Sequence, residues 1–459
     1  MSPALAELLF NPRSVVVYGA SADPDKLSGR PLAYLLSFGF EGSVYAVNPR
    51  RSEVQGVPSY PDVASIGEPV DLAVIVVPAP AVPDAVRRCG QAGVGAAIVF
   101  ASGFAEAEDG QDLQTELADA VRETGIRLLG PNCLGAFSAA NNVYSTFSTA
   151  FDAEGDRPYA PIALVSQSGA VGTFTYTTMV ANGLGLRHYA NTGNEIDVTA
   201  VEILDALADD DAVEVLMGHL EGVRDLAALR SLVSKAARKD KPLLFLKSGR
   251  TEAGARAVRR HTASIAGDDA AFDQVLAAGK AVRVESMQEW ADAALLFADG
   301  RRMAGPRLSI LTLSGGSGAL AADRAVLEGL RVDPWSEAED HRALREVLPS
   351  FASTANPIDM TGAMINDLSL LDRGLSVTSA NAQTDAILVI LGNADKDAEK
   401  IVERLVAAHR ASTKPFAVVW TGGSGRPLRA LLEAGVPAYP EPDRAVRVLA
   451  HLHHHSSAG

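Results

Sequence analysis

The chain has 459 residues, 47% hydrophobic and 21% charged, with 56 acidic against 41 basic side chains for a net charge of −15. That length is enough for about three ordinary domains, each with its own core, and the acidic balance argues against a nucleic-acid or anionic-membrane binder. No apolar run reaches the ~18 residues that a membrane span needs, and two cysteines, Cys89 and Cys133, supply neither a disulfide framework nor metal-ligand spacing, so no metal site is expected.

The opening M-S-P-A-L-A-E-L-L-F has no basic region followed by a signal core, which together with the cysteine usage reads as a cytoplasmic protein. From there, short β-branched runs (S-V-V-V-Y-G, S-V-Y-A-V, L-A-V-I-V-V-P, A-A-I-V-F, I-A-L-V-S and onward to F-A-V-V-W) alternate with Ala/Leu-rich helical stretches. Strand, helix, strand is the pattern of parallel, doubly wound sheets and predicts an α/β fold. Gly and Pro cluster at 152–161 and at 299–306, which divides the chain into 1–150, 151–303 and 304–459.

In the first segment, Gly19, Ala20 and Ser21 follow a strand and precede a helix, where small residues let backbone N–H groups approach a phosphate. The run is not G-x-G-x-x-G, and V-N-P-R (47–50) stands where a ribose-binding acid would be, which disfavours a nicotinamide dehydrogenase. Further strand ends carry Val77–Pro78, Ser102–Gly103–Phe104 and Asn132 in G-P-N-C-L-G, all at the carboxyl edge where such sheets bind ligands. Cys133 has only small and apolar sequence neighbours and reads as a packing residue.

The second and third segments resemble each other: I-A-L-V-S-Q-S-G-A-V against L-S-I-L-T-L-S-G-G-S-G-A-L, N-E-I-D-V-T against N-P-I-D-M-T-G, and K-P-L-L-F-L-K-S-G against K-P-F-A-V-V-W-T-G. The order is kept, which points to duplication. Gly249 and Gly279 lie 30 positions apart, whereas Gly422 and Gly435 lie 13 apart, so the second segment carries about 17 additional residues, and His261 falls among them. A loop that one copy extends on a shared scaffold is where function is added. Ser168–Gly169 and Ser317–Gly318 each put a Ser/Gly pair at the mouth of a helix, and two such helices aimed at one point would make a phosphate site.

Taken together, G-A-S, V-N-P, G-P-N-C-L-G, S-Q-S-G-A-V, G-N-E-I-D-V, L-E-G, H-T-A-S-I-A-G and N-P-I-D-M-T-G make the whole chain resemble the NDP-forming acyl-CoA synthetases, relatives of succinyl-CoA synthetase. The resemblance implies a Rossmann-like coenzyme A-binding domain followed by two flavodoxin-like domains. It implies that His261 carries a phosphoryl group, oriented by Glu221, between phosphate-facing helices at Ser168–Gly169 and Ser317–Gly318. It also implies that coenzyme A lies against Gly19, Ala20, Ser21, Asn48, Pro49, Val77, Pro78, Ser102, Gly103, Phe104 and Asn132, with Lys26 or Arg50 as counter-charge. The chemistry suits these residue types: a neutral imidazole can attack an acyl phosphate and store the phosphoryl group, and a carboxylate on the other ring nitrogen fixes the tautomer.

The family also uses an ATP-grasp module, and the sequence holds neither that module nor a P-loop. The expectation is therefore the coenzyme A-binding subunit of an ADP-forming acyl-CoA synthetase acting on a small carboxylic acid. A separate ATP-grasp (beta) subunit would bring ATP/ADP and Mg, in a hetero- or homo-oligomer. The rival is a non-catalytic coenzyme A or acyl-CoA sensor on the same scaffold. The terminal H-L-H-H-H-S-S-A-G reads as a disordered or added tail whose only role would be adventitious metal binding.

Overall fold

The computed structural model describes residues 4–152, 159–262, 268–336, 338–350 and 352–457, and of residues 260–262 and 338–340 it describes the backbone alone. These residues form two compact units, Met1–Thr177 with Gly185–Met287, and Thr178–Leu184 with Gln288–Gly459. The first unit holds two sheets and the second unit one.

The first sheet runs in the order Glu53–Val54, Val57–Tyr60, Ser43–Val47, Ser14–Tyr18, Leu72–Ile75, Ala96–Val99, Arg127–Leu129, and all its pairs are parallel except the short first one. Its six parallel strands thus follow the 3-2-1-4-5-6 order of dinucleotide-binding sheets. Val15, Val16, Val17, Leu72, Ala73, Val74 and Ile75 are fully buried, as strands covered by helices on both faces must be.

The second sheet centres on Ala160–Ser166, with Leu186–Asn191 on one side and Val215–Leu220, Leu243–Lys247 and Val282–Val284 on the other. The third centres on Leu308–Thr312, with Ile358–Asp359 on one side and Ala386–Gly392, Phe416–Thr421 and Ala438–Tyr439 on the other. Both follow the 2-1-3-4-5 order of flavodoxin-like sheets, so the sequence repeat is a repeat of topology. The second sheet is extended by an antiparallel hairpin, Gly135–Ser138 and Val143–Thr146, whose first strand pairs with Leu186–Asn191. One apolar cluster runs from Val15, Val17 and Ile98 through Phe100 and Ala136 to Val165, Leu204 and Phe245, which joins the first two sheets into a single body.

The terminal histidines are not a disordered tail. They close the helix Pro442–Ser457, in which Leu452 and His455 are buried. The ring of His455 lies edge-on to Phe297 at 5.7 Å, and His451 Nε2 is 2.7 Å from Glu289 Oε1. Apolar positions at Val446, Val448, Leu449 and Leu452 carry the helix onto the core of the second unit. No group of residues able to hold a metal ion occurs among the described residues, and no helix there is long and apolar enough to cross a membrane.

Candidate active site

The first-sheet residues singled out from sequence all fall at the carboxyl ends of neighbouring parallel strands. Gly19–Ser21 follow Ser14–Tyr18, Asn48–Arg50 follow Ser43–Val47, Val77–Pro78 follow Leu72–Ile75, Ser102–Phe104 follow Ala96–Val99, and Asn132 follows Arg127–Leu129. The strand order reverses at Ser14–Tyr18, between Ser43–Val47 and Leu72–Ile75, and this switch point opens the crevice used by ligands of such sheets. Gly19 sits there at φ +92°, and a Cβ on it would lie 2.7 Å from Val77 Cγ1, so glycine is required both by conformation and by space. The amide side chain of Asn48 donates to the Ala20 carbonyl at 3.0 Å, and its oxygen accepts the Arg50 N–H at 3.0 Å, closing the turn at Pro49. Lys26 is exposed and lies 3.9 Å from Asp23.

Two of these residues differ from expectation in what they offer. The Phe104 ring is fully buried, and the N–H groups of Gly103 and Phe104 both donate to Glu106 Oε1, at 2.6 and 3.2 Å. Those amides are already satisfied, so that loop presents Ser102 rather than free backbone donors. Burial works against the ionised Glu106, but the bonds from Asn194 and from these amides outweigh it and hold its carboxyl below the ordinary range.

A cavity of about 230 Å³ opens between the first two sheets. Its wall includes Phe100, Leu134 and Phe147, and its polar edge Ser102, Asn132 and Gln167, with Gly169 at the mouth of the helix Gly169–Ala181. The Gly172 N–H is the first along that helix to bond back, to the Ser168 carbonyl, which leaves the preceding amides unpaired within the helix and directed at its mouth. A Cβ at Gly169 would lie 2.7 Å from Leu134 Cγ. In the second unit the corresponding helix begins at Gly315 with Ser314 as N-cap, three residues before Gly318. The Gly318 N–H is already bonded to the Ser314 carbonyl at 3.0 Å, so the open donors are those of Gly315, Gly316 and Ser317. Gly318 is instead a packing glycine, where a Cβ would meet Thr312 Cγ2 at 3.0 Å and Pro357 Cβ at 3.2 Å.

Glu221 is buried at the end of the strand Val215–Leu220, and its backbone is fixed on both sides. Its N–H donates to Gln167 Oε1 at 2.5 Å, the next N–H, of Gly222, donates to the same oxygen at 3.0 Å, and Gln167 Nε2 returns a bond to the Gly222 carbonyl at 2.9 Å. The Glu221 carbonyl accepts from Lys247 Nζ at 2.9 Å, and the Ser248 carbonyl takes a second bond from that amine. Burial is the largest influence on Lys247 and lowers its amine from 10.5 to about 8, against the attraction of Asp269 and Glu221. Gln167, Lys247 and Arg224 were not picked out from the sequence, although Gln167 stands inside S-Q-S-G and Arg224 three residues after Glu221.

His261 lies in the last turn of the helix Glu252–Thr262, within the stretch that the third segment lacks. Its ring lies outside the described residues, as do Ala263, Ala266 and Gly267. Near Glu221 the described histidine is His219, whose ring is fully buried between Ser166 Oγ at 3.1 Å and Ser248 Oγ at 2.9 Å. Without solvent or ligand access it is a framework residue and no phosphoryl acceptor. Cys133 is equally inert: its thiol donates to the Val99 carbonyl at 3.3 Å, and burial pushes it up to about 12. A larger, open depression of about 730 Å³ in the second unit is lined by Asp395, Glu399 and Glu403 against one Arg426, an acidic setting that repels phosphate.

A Rossmann-type sheet with an open switch point, joined to a flavodoxin-like sheet whose first helix mouth lies beside Gln167, the residue that holds the Glu221 backbone, has the architecture of an α/β protein that takes a phosphate-bearing ligand. Residues 13–138 match the CoA binding domain family, and residues 160–297 match the Succinyl-CoA ligase like flavodoxin domain family. The ADP-forming acetate–CoA ligase I subunit alpha of Pyrococcus furiosus is 33% identical over 97% of both chains. The ADP-forming acetate–CoA ligase I of Archaeoglobus fulgidus is 35% identical over 98% of this chain, which spans 64% of that protein. The solved structure of Ca. Korarchaeum cryptofilum dinucleotide-forming acetyl-coenzyme A synthetase 1, in complex with phosphate and ADP, superposes with a TM-score of 0.89 at 32% identity, over 99% of this chain and 97% of that one. The chain therefore belongs to the ADP-forming acyl-CoA synthetases, a family of acid–thiol ligases, and is of their coenzyme A-binding, alpha-subunit type.

Proposed function

We propose that this chain carries out the acyl and phosphoryl steps of carboxylic acid + ATP + CoA ⇌ acyl-CoA + ADP + phosphate, with His261 as the phosphoryl carrier. The observation that carries this reading is the fixed Glu221 loop. A glutamate whose backbone N–H and carbonyl are both held, the N–H by Gln167 beside the mouth of the helix Gly169–Ala181, is preorganised to hold a histidine ring. In the acyl-forming direction, phospho-His261 gives its phosphoryl group to the acid's carboxylate. Thiolate attack on the resulting acyl phosphate then yields the thioester and inorganic phosphate. In reverse, a neutral His261 nitrogen attacks the phosphorus of the acyl phosphate and the carboxylate leaves, while Glu221 holds the other ring N–H and stabilises the cationic ring.

In this reading coenzyme A lies along Gly19–Ser21, Asn48–Arg50 and Val77–Pro78, with its thiol end toward Ser102 and Asn132. The open amides at Ser168–Gly169 meet the transferring phosphate. The acid occupies the 230 Å³ cavity, whose described lining has no Lys, Arg or His. A second carboxylate there would be unpaired, so the substrate is a small monocarboxylic acid. The nucleotide and Mg are brought by an ATP-grasp partner subunit. In support, the Pyrococcus relative is named a subunit alpha, and the Archaeoglobus ligase is longer than the region this chain matches. The free, buried Cys89 and Cys133 suit a reducing cytoplasm.

Incubation of the chain with 32P-labelled acetyl phosphate tests the reading. The expected result is an acid-labile, base-stable label that is absent in His261→Ala and forms roughly 10- to 1000-fold more slowly in Glu221→Gln. Label that persists in His261→Ala, or an unlabelled wild type that still binds coenzyme A, would overturn phosphoryl transfer and leave a coenzyme A sensor.

A further inference from the structure

The Glu221 loop and the coenzyme A crevice are joined by a continuous run of hydrogen-bonded, buried and half-buried polar groups in the first unit. We propose that Asn194 and Gln167 form a clamp through which occupancy of the coenzyme A site tightens the Glu221 loop, so that phosphoryl transfer is favoured when coenzyme A is present. The inference rests on the functional reading above and adds to it two positioning residues and a coupling between steps.

Asn194 is 1% exposed, and its side chain faces the first domain. Its Nδ2 donates to Glu106 Oε2 at 2.5 Å and to Gln114 Oε1 at 3.1 Å, while its oxygen accepts from Asn132 Nδ2 at 3.3 Å. Glu106 is the residue that gathers the Gly103 and Phe104 amides, so Asn194 reads the position of two loops at the crevice edge, Ser102–Glu106 and Gly130–Asn132. The other side of the same segment faces the Glu221 loop. The Asn194 and Glu195 carbonyls accept from Arg224 Nη2 and Nη1 at 3.0 and 2.7 Å, and the Glu195 carboxylate accepts from Gln167 Nε2 at 2.9 Å. Gln167 in turn holds the Glu221 and Gly222 amides. Glu195 is held at φ +54°, with Thr192 Oγ1 and the Ala200 N–H completing its carboxylate shell, so the segment has little room to yield.

Physical chemistry argues that such a chain transmits. Asn194, Glu195, Gln167 and Glu221 are buried and Glu106, Gln114 and Asn132 half-buried, so a bond lost at the inner links is not replaced by solvent, and the neighbouring link must shift or bear the cost. An apolar junction between the domains would bury the same surface without these desolvated amides and carboxylates. A movement of the Ser102–Glu106 loop as coenzyme A settles is therefore felt at Asn194 and, through Glu195 and Gln167, at Glu221. By linkage, a better-held Glu221 loop favours coenzyme A in the same measure.

Hydrogen exchange of the full chain, followed by mass spectrometry on peptides covering residues 220–226, tests the clamp with desulfo-coenzyme A as a non-reacting probe. In the wild type the probe should slow exchange of these amides by about 5-fold or more. Asn194→Asp keeps the side-chain shape and the acceptor toward Asn132 but turns the donor facing Glu106 into a carboxylate. It should remove the slowing while calorimetry still finds probe bound. The double change Asn194→Asp with Glu106→Gln reverses donor and acceptor across the same link and should restore the slowing, a rescue that general destabilisation would not give. Gln167→Met should accelerate exchange at 221–222 with or without probe. Unchanged exchange in a wild type that binds the probe, or equal slowing in wild type and Asn194→Asp, overturns the clamp. Failure of the wild type to bind the probe at all refutes the coenzyme A reading itself.

Discussion

Lys247 gives the most quantitative test of how the site is held. Its amine is buried beneath the Glu221 loop and is lowered from 10.5 to about 8, chiefly by burial. Between pH 8 and 10.5 the unfolded chain holds a proton at this position that the folded chain has released, so unfolding takes up a proton and stability rises with pH across that window. From pH 7.5 to 9.5 the gain from this one group is at most about 2 kcal/mol, or about 4 to 8 °C in the melting of a unit of this size. Lys247→Met keeps the stem and removes the titration, and it leaves the Glu221 and Ser248 carbonyls without their ammonium donor. Scanning calorimetry at pH 7.5, 8.5 and 9.5 should therefore find the stability gap between the two chains moving in the wild type's favour as pH rises. Cys89 and Cys133, both pushed up to about 12 by burial, are present in both chains and cancel in the difference. Parallel pH profiles for wild type and Lys247→Met would refute the argument that Lys247 is held against its own charge.

Two further outcomes follow from the glycines and the exposed cations. Gly169→Val should collide with Leu134 and block the helix mouth, and Gly318→Val should press on Thr312 and Pro357 at a cost of about 1–3 kcal/mol. Labelling by acetyl phosphate should be lost in Gly169→Val with coenzyme A affinity changed far less, and a circular-dichroism melt beside each assay separates blockage from unfolding. Arg50→Ala and Lys26→Ala should each weaken coenzyme A in calorimetry by a few-fold, the size expected of solvated counter-charges; unchanged affinity in both would move the pyrophosphate away from Gly19–Ser21.

How much of the site could be read in advance depended on what kind of signal each residue gives. Gly19, Asn48, Val77 and Asn132 follow strands, and a strand end in a parallel sheet is a place that periodicity locates. Glu221 and His261 came through the ordered set of motifs they share with a family. Gln167 and Asn194 stand inside the same motifs and Glu106 two residues beyond Ser102–Gly103–Phe104, yet none carries a signal of its own, because an amide or carboxylate in a turn is ordinary until its partner is known. Their partners lie far along the chain: Gln167 to Glu221 spans 54 residues and Asn194 to Glu106 spans 88. The Ser-Gly pair at Ser317–Gly318 marks a helix mouth in the sequence, and the fold starts that helix at Gly315 because Ser314 is the residue that takes the cap position.

By itself the sequence determined the alternation of strand and helix, the repeat of one topology in two segments, and the ordered motifs that the chain shares with the acyl-CoA synthetases, since these depend on local periodicity and on residue types at fixed spacing. Tertiary structure alone decided that the hairpin Gly135–Thr146 extends the second sheet, that the terminal histidines cap a packed helix, and that Gln167, Lys247 and Arg224 hold the Glu221 loop. The reason is physical: those outcomes rest on burial and on hydrogen bonds between groups distant in sequence, whose free energy exists only once packing has excluded water from both partners.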